Sequence, residues 1–225
     1  MFQILLPIIL IATSHILADR FFPPVDGRLQ FIACFTGIFF WPVLVWYAGW
    51  ASYELMGDRV YGVSSLSTNV MQAYASYTTG SICVDVLSDS ADVLLFIHHL
   101  LTILGMMYGV YIEEFHFYAC TALFFEVSTP PLCCVLLLTR RTILERRLQN
   151  ILPKKSDVVC GSLLWITYIV FRVLFCPLLI ILLLCDFVQV DLSFLCILFS
   201  LMVLFVLSCI WFSNIHAGLK KALHK

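Results

Sequence analysis

The sequence predicts an all-α integral membrane protein with about seven transmembrane helices. Of its 225 residues, 62% are hydrophobic and only 12% are charged, whereas soluble domains contain roughly 25% charged residues. Seven apolar stretches come close to the length of about 20 residues that a helix needs to cross the hydrocarbon core. The formal net charge of −1 argues against a nucleic-acid partner, because no basic face is available to neutralise a run of phosphates.

The predicted spans follow one another with short connections. They cover residues 2–18, 31–50, 67–87, 92–110, 115–138, 158–184 and 192–213. The first lacks the basic start and the small-residue cleavage site of a signal peptide, so we predict a retained helix rather than a cleaved leader. This divides the chain into residues 1–30, the first helix with its connection, and the membrane domain of residues 31–225. The third span is polar, which predicts a helix buried within the bundle.

The distribution of lysine and arginine predicts the orientation in the membrane. With seven spans, basic residues fall on one side, in the connection after the first span, in the connection 140–155 and in the C-terminal tail. The connections on the opposite side contain only one basic residue, Arg59. Because cytoplasmic loops carry the excess of basic residues, we expect the C-terminus to be cytoplasmic.

Two adjacent histidines in the fourth span are the candidate functional site. An imidazole pair within hydrocarbon must face a protein interior or a watered cavity, which applies to His98 and His99. Thr102 lies one turn further and could orient either ring. Asp85 and Asp92 precede the pair, and a carboxylate near an imidazole would raise its basicity, as general-base catalysis requires. The alternative is that both histidines only hydrogen-bond within the helix.

Two charged residues are expected at similar depth in adjacent spans. Glu126 lies about 18 Å from the end of the fifth span, and Arg172 about 21 Å from the start of the sixth. A buried carboxylate must be protonated or paired, so we predict an intramembrane ion pair that acts as a structural staple or takes part in catalysis. Pro130 is expected to kink the fifth span, where the hydroxyl of Ser128 can bond the exposed carbonyls.

Neither a metal site nor a bound cofactor is predicted. The six histidines are too few for a histidine-rich di-iron site, and the ten cysteines form no CxxC motif. The HExxH, GxSxG and glycine-rich phosphate-binding motifs are absent from the sequence. Most cysteines lie in apolar segments, and we interpret them as packing residues.

Several motifs together resemble one family of membrane proteins. The run IHHLLTI, residues 97–103, is similar to the HHxxT signature of the TLC-domain proteins, which include the ceramide synthases. Four further motifs resemble landmarks of the small TLC-domain-containing subgroup and occur in the same order. They are Asp58–Gly62, Gly80-x4-Asp85, Glu126-x-Ser128-Thr129-Pro130 and Arg172-x4-Pro177. The resemblance implies a TLC-type bundle of six or so helices around a lipid-sized cavity, with the histidines facing inwards.

The same resemblance implies a function in membrane-lipid homeostasis, in the endoplasmic reticulum or another endomembrane. By similarity to the ceramide synthases of sphingolipid metabolism, the enzyme hypothesis is acyl transfer to a lipid amine, with acyl-CoA as co-substrate and not as a bound cofactor. The catalytic residues would be His98, His99, Asp85, Asp92 and Glu126. The substrate-binding residues would be Thr102, Ser128, Arg172, Arg140 and Arg141, of which the last two could attract the phosphates of coenzyme A.

One departure from the ceramide synthases favours a different hypothesis. Their acidic stretch in the helix after the histidines corresponds here to Glu126-x-Ser128-Thr129, so a second acidic residue is missing. The alternative function is therefore a lipid-binding, sensing or trafficking protein that uses the same cavity without turnover.

Overall fold

The computed structural model describes residues 28–87, 92–139, 156–186 and 191–223. These residues form six helical spans and no strand. The spans are α1 (Arg28–Glu54), α2 (Ser65–Leu87), α3 (Val93–Ile112), α4 (116–139), α5 (Ser156–Asp186) and α6 (Leu192–Leu223). The predicted all-α class is confirmed.

The number of membrane-crossing helices differs from the prediction. Six predicted spans correspond to α1–α6, with shifted ends, and the first, 2–18, lies outside the described residues. Five of the six described helices are long and apolar enough to cross a membrane. The exception is α2, because polar and small residues fill its first two-thirds. The count of seven is therefore not confirmed.

Large apolar side chains cover the outside of the bundle. Leu178 on α5 and Phe199 on α6 are 60% and 63% exposed, and similar residues follow along both helices. A soluble monomer does not expose apolar surface on this scale. The surface and the helix lengths together identify a multi-pass membrane protein.

The two ends of the bundle differ in their side chains. We name them the Arg59 end, where α1, α3 and α5 finish, and the Asp92 end, where α2, α4 and α6 finish. Exposed aromatic residues gather toward the Arg59 end, among them Trp50, Tyr53 and Tyr111. Tryptophan and tyrosine are enriched where a membrane protein meets the headgroup layer, so these residues mark one membrane interface.

The core between α1, α2 and α4 depends on small residues. Ala48 and Ala51 on α1 are fully buried and belong to the same cluster as Met71 and Tyr74 on α2 and Leu123 on α4. Small side chains let helix backbones approach closely, which is the usual basis of helix association in membranes.

The polar stretch of α2 is buried on one face only. Ser67, Tyr74 and Thr78 point into the bundle, whereas Asn69 and Gln72 are exposed. The predicted burial of this stretch within the bundle is therefore confirmed for one face of the helix only. Residues on one helix face recur every three or four positions, and the polar residues of α2 occur at more positions than one face can hold.

An ion pair joins the connection after α1 to α5 at the Arg59 end. The guanidinium of Arg59 donates two hydrogen bonds to the carboxylate of Asp186, and the hydroxyl of Tyr118 donates a third. Hydrogen bonding to Asp186 raises the pKa of Arg59, so the guanidinium stays charged. Nearby, the backbone N–H of Phe115 donates to the carbonyl of Val60 at 2.7 Å.

Both α4 and α5 change helix type just before a proline. In α4, the residues Leu123–Ser128 form a 3-10 helix that ends before Pro130. In α5, the residues Ile169–Leu174 form a π-helix that ends before Pro177. Proline has no N–H to donate to the preceding turn, so the hydrogen-bond ladder must change there. The sequence predicts a kink at Pro130, and the structure shows a change of helix type just before it.

Candidate functional site

The predicted ion pair between α4 and α5 is present. Nη2 of Arg172 lies 3.4 Å from Oε1 of Glu126, and both side chains are buried. Nε of Arg172 also donates to the carbonyl of Phe125 and to the hydroxyl of Ser128, both at 3.0 Å. The hydroxyl of Thr129 donates to the other oxygen of Glu126 at 2.5 Å. The irregular segments therefore position a buried charge pair with several hydrogen bonds.

Arg172 makes one further contact on its own helix. Its guanidinium carbon lies 5.4 Å from the ring centre of Tyr168, one turn earlier. Such cation–π contacts contribute about 2 kcal/mol when desolvated. The side chain of Arg172 is thus held by contacts on two helices.

The two histidines occupy different positions. His98 is buried, at 6% exposure, and faces the interior, whereas His99 is half-buried. The ring of His98 packs edge-on against Trp211 of α6, with 5.3 Å between ring centres. Thr102 donates its hydroxyl to the carbonyl of His99 at 2.9 Å and not to an imidazole. Thr102 therefore does not orient either ring, contrary to the prediction.

Several buried polar atoms in this region have no hydrogen-bond partner among the described residues. They are Nδ1 of His98, Nδ1 of His99 and the hydroxyls of Tyr168 and Thr78. Arg172 pairs with Glu126 and lies against the ring of Tyr168, and Glu126 lines the same pocket as His98, whose ring centre is 5.6 Å from that of His99. We call His98, His99, Tyr168, Glu126 and Arg172 the polar centre. Buried polar groups in native proteins are nearly always bonded, so unpartnered atoms here indicate a place for a ligand or for water.

A small pocket adjoins the polar centre between α2, α3, α4 and α6. Its volume is about 60 Å³, and His98, Thr102, Tyr74 and Glu126 contribute to its wall. The remaining wall is mostly apolar. A cavity needs about 10–15 Å³ on this measure to hold one water, so the pocket has room for a few waters or one small chemical group. It is smaller than the lipid-sized cavity that the resemblance implies.

The acidic and basic residues predicted near the Asp92 end are only partly described. Asp92 is exposed and caps α3, with its carboxylate accepting from the N–H of Leu94 at 2.8 Å. It precedes His98 by six residues, or about 9 Å of helix. The side chain of Asp85 lies outside the described residues, as do Arg140 and Arg141. The structure therefore brings together His98, Thr102, Glu126, Ser128 and Arg172, with Asp92 about one and two-thirds turns from His98.

Tyr74 and Tyr168 were missed in the sequence prediction. Tyr74 is buried and lines the pocket, and Tyr168 belongs to the polar centre. For Tyr168, the available signal was its position four residues before Arg172, which places both on one helix face. Tyr74 has the corresponding spacing to Thr78.

The family of the chain follows from its match to known sequences. Residues 4–217 match the family model of the TLC domain. The chain belongs to the TLC-domain family. The resemblance predicted from the motifs is thereby confirmed, and membership indicates a function related to membrane lipids. The curated proteins and the solved structures contain no significant match.

The structure of this TLC-domain protein explains the spacing of its HHxxT motif. His98, Thr102, Met106 and Gly109 are the buried residues of α3 and recur at intervals of three or four. His98 and Thr102 therefore share the inward face, while His99 is turned about 100° away. Among the described residues, no three potential metal ligands lie close enough together to hold an ion.

Proposed function

We propose that this TLC-domain protein binds the reacting group of a membrane lipid at the polar centre and transfers an acyl group to it from acyl-CoA. The observation that carries the proposal is the buried Nδ1 of His98, which has no hydrogen-bond partner among the described residues. The ring of His98 lines a pocket large enough for one small group. A lipid amine or hydroxyl in the pocket would supply the missing hydrogen bond.

The proposed reaction uses His98 as a general base. Its imidazole accepts a proton while the lipid amine attacks the thioester carbonyl of acyl-CoA. A carbon–nitrogen bond forms, the carbon–sulfur bond breaks, and the imidazolium returns the proton to the leaving thiolate. The products are an amide and free coenzyme A. A nucleophilic route, in which the imidazole first accepts the acyl group, gives the same products.

The Glu126–Arg172 pair has a positioning role in this proposal. Both charges are engaged by protein groups, because Arg172 also bonds Ser128 and Glu126 also bonds Thr129. The pair thus holds α4 and α5 in a fixed arrangement around the pocket. Acyl-CoA would approach from the Asp92 end, which the orientation prediction makes cytoplasmic, in an endomembrane such as the endoplasmic reticulum.

A second candidate function is lipid binding, sensing or trafficking without turnover. The observation that favours it is that no described carboxylate hydrogen-bonds either imidazole. Asp92 is used as a helix cap, and Glu126 is bonded by Arg172 and Thr129. Catalytic histidines commonly have a partner that fixes their tautomer, and such a partner is not found in the described part of the chain.

Lipidomics on knockout cells distinguishes the two functions. The cells are complemented with wild type, His98→Ala or His216→Ala, at matched expression. His216 is the control because it is an exposed histidine on α6. Acyl transfer predicts that wild type and His216→Ala restore one class of acylated lipid and His98→Ala does not. If His98→Ala restores that class equally, acyl transfer by His98 is excluded.

A further inference from the structure

We infer that the acyl chain of the bound lipid lies in a lateral opening between α3 and α6, which connects the polar centre directly with the bilayer. The inference rests on the proposed function, in either its catalytic or its binding form. It assigns an acyl-chain subsite to residues other than the two histidines and the threonine that define the HHxxT motif.

The two helices contact each other above and below the pocket. At the Arg59 end, the hydroxyl of Tyr108 hydrogen-bonds with that of Ser193 at 2.9 Å. Toward the Asp92 end, the ring of His98 packs against Trp211. The pocket-lining residues of both helices all fall between these contacts or at His98 itself. The pocket therefore lies in the stretch of the α3–α6 interface between these two contacts.

Two small residues keep the space between the helices open. Gly105 on α3 lines the pocket, and a Cβ added to it would have no atom within 4 Å. Ser200 on α6 lines the pocket from the opposite side, and its hydroxyl donates to the carbonyl of Cys196 on its own helix. Neither residue thus contributes a bond across the opening.

The occupant that fits this opening is an acyl chain. Leu101, Ile197 and Leu204 make its walls apolar, and the neighbouring Leu104 is 56% exposed on the outer surface of the bundle. The pocket volume of about 60 Å³ accommodates only the reacting end of a lipid. The rest of the molecule must then remain in the bilayer, which a lateral opening permits and a closed cavity does not.

Photolabelling in nanodiscs tests the inference without using catalysis as its readout. The probe is a diacylglycerol whose acyl chain carries a diazirine and an alkyne, present as a minor component in phosphatidylcholine. Labelled peptides are identified by mass spectrometry. In the wild type we expect labels on the peptides that contain Leu101 and Ile197–Leu204.

Filling the opening provides the matched comparison. Gly105→Leu and Ser200→Leu fill it from opposite sides. Gly80→Leu is the control, because a Cβ added to Gly80 would also have no atom within 4 Å, but Gly80 lies on the exposed face of α2. Leucine at either position competes with the acyl chain for the same space, and we expect about tenfold less labelling, which corresponds to about 1.4 kcal/mol of binding free energy. Variants that no longer run as a single species in gel filtration are replaced by the other filling variant.

The outcomes separate this inference from the proposed function. Reduced labelling in each filling variant that runs as a single species, with Gly80→Leu unchanged, supports the lateral opening. Unchanged labelling in the filling variants, with loss in His98→Ala, overturns the opening but keeps lipid binding at the polar centre. Labelling that is insensitive to every one of these variants overturns both.

Discussion

The guanidinium of Arg172 lies 3.4 Å from the carboxylate of Glu126, inside a bundle with an apolar outer surface. Glu126 lies in a 3-10 segment and Arg172 in a π-helical segment, so an irregular segment before a proline positions each charge. As a pair they add no net charge to the pocket. The pocket therefore presents an imidazole, hydroxyl groups and a carboxylate that is already paired with Arg172, which suits an uncharged reacting group.

Removing one member of the pair is expected to destabilise the protein strongly. Arg172→Met leaves the carboxylate of Glu126 buried without its charge partner, which costs about 3–5 kcal/mol. The double variant Arg172→Met with Glu126→Leu removes both charges and is expected to recover most of that loss. Thermal unfolding of the purified proteins in detergent measures the difference. A double variant no more stable than Arg172→Met would contradict the pairing as the source of stability.

The two histidines are expected to be unequal in function. His98→Ala removes the imidazole that lines the pocket and lowers acyl transfer by about 100-fold or more, the usual contribution of a general base. His99→Ala alters a half-buried ring outside the pocket wall and retains a larger share of activity. The measurement is product formed from radiolabelled acyl-CoA in membranes with matched protein amounts. A greater loss in His99→Ala would assign the catalytic role to the other ring.

Hydropathy was sufficient to predict five of the described spans, because each is a continuous apolar run of the required length. It was less informative for α2, whose polar residues lie on both an inner and an outer face. The burial of a polar side chain depends on helix rotation and on which neighbours are present. A single sequence specifies neither the rotation of the helix nor its neighbours in the bundle.

Counting depth along adjacent helices was sufficient to predict the pair of Glu126 and Arg172, since antiparallel neighbours bring residues of equal depth together. The same reasoning could not find Arg59 and Asp186, which are 127 residues apart in sequence and lie in a connection and at a helix end. It also could not decide which histidine faces inwards, because adjacent helical residues differ by about 100° and either is compatible with the motif.

The bond from Tyr118 to Asp186 is expected to stabilise the Arg59 end. Tyr118→Phe removes one hydrogen bond to a charged group and is expected to lower stability by about 1.5–3 kcal/mol. Tyr111→Phe is the control, because it removes the same hydroxyl from a side chain that is 84% exposed at the surface. Thermal unfolding in detergent compares the two. Equal midpoints for both variants would show that the bond contributes nothing measurable.

Asp92 provides a test that separates capping from catalysis. Asparagine caps a helix about as well as aspartate, whereas alanine loses about 1 kcal/mol. If Asp92 only caps α3, Asp92→Asn keeps both stability and acyl transfer, and Asp92→Ala lowers stability alone. If its charge assists His98, Asp92→Asn lowers acyl transfer while the unfolding temperature stays the same. Because the carboxylate is exposed and already bonded to the N–H of Leu94, we expect the first result.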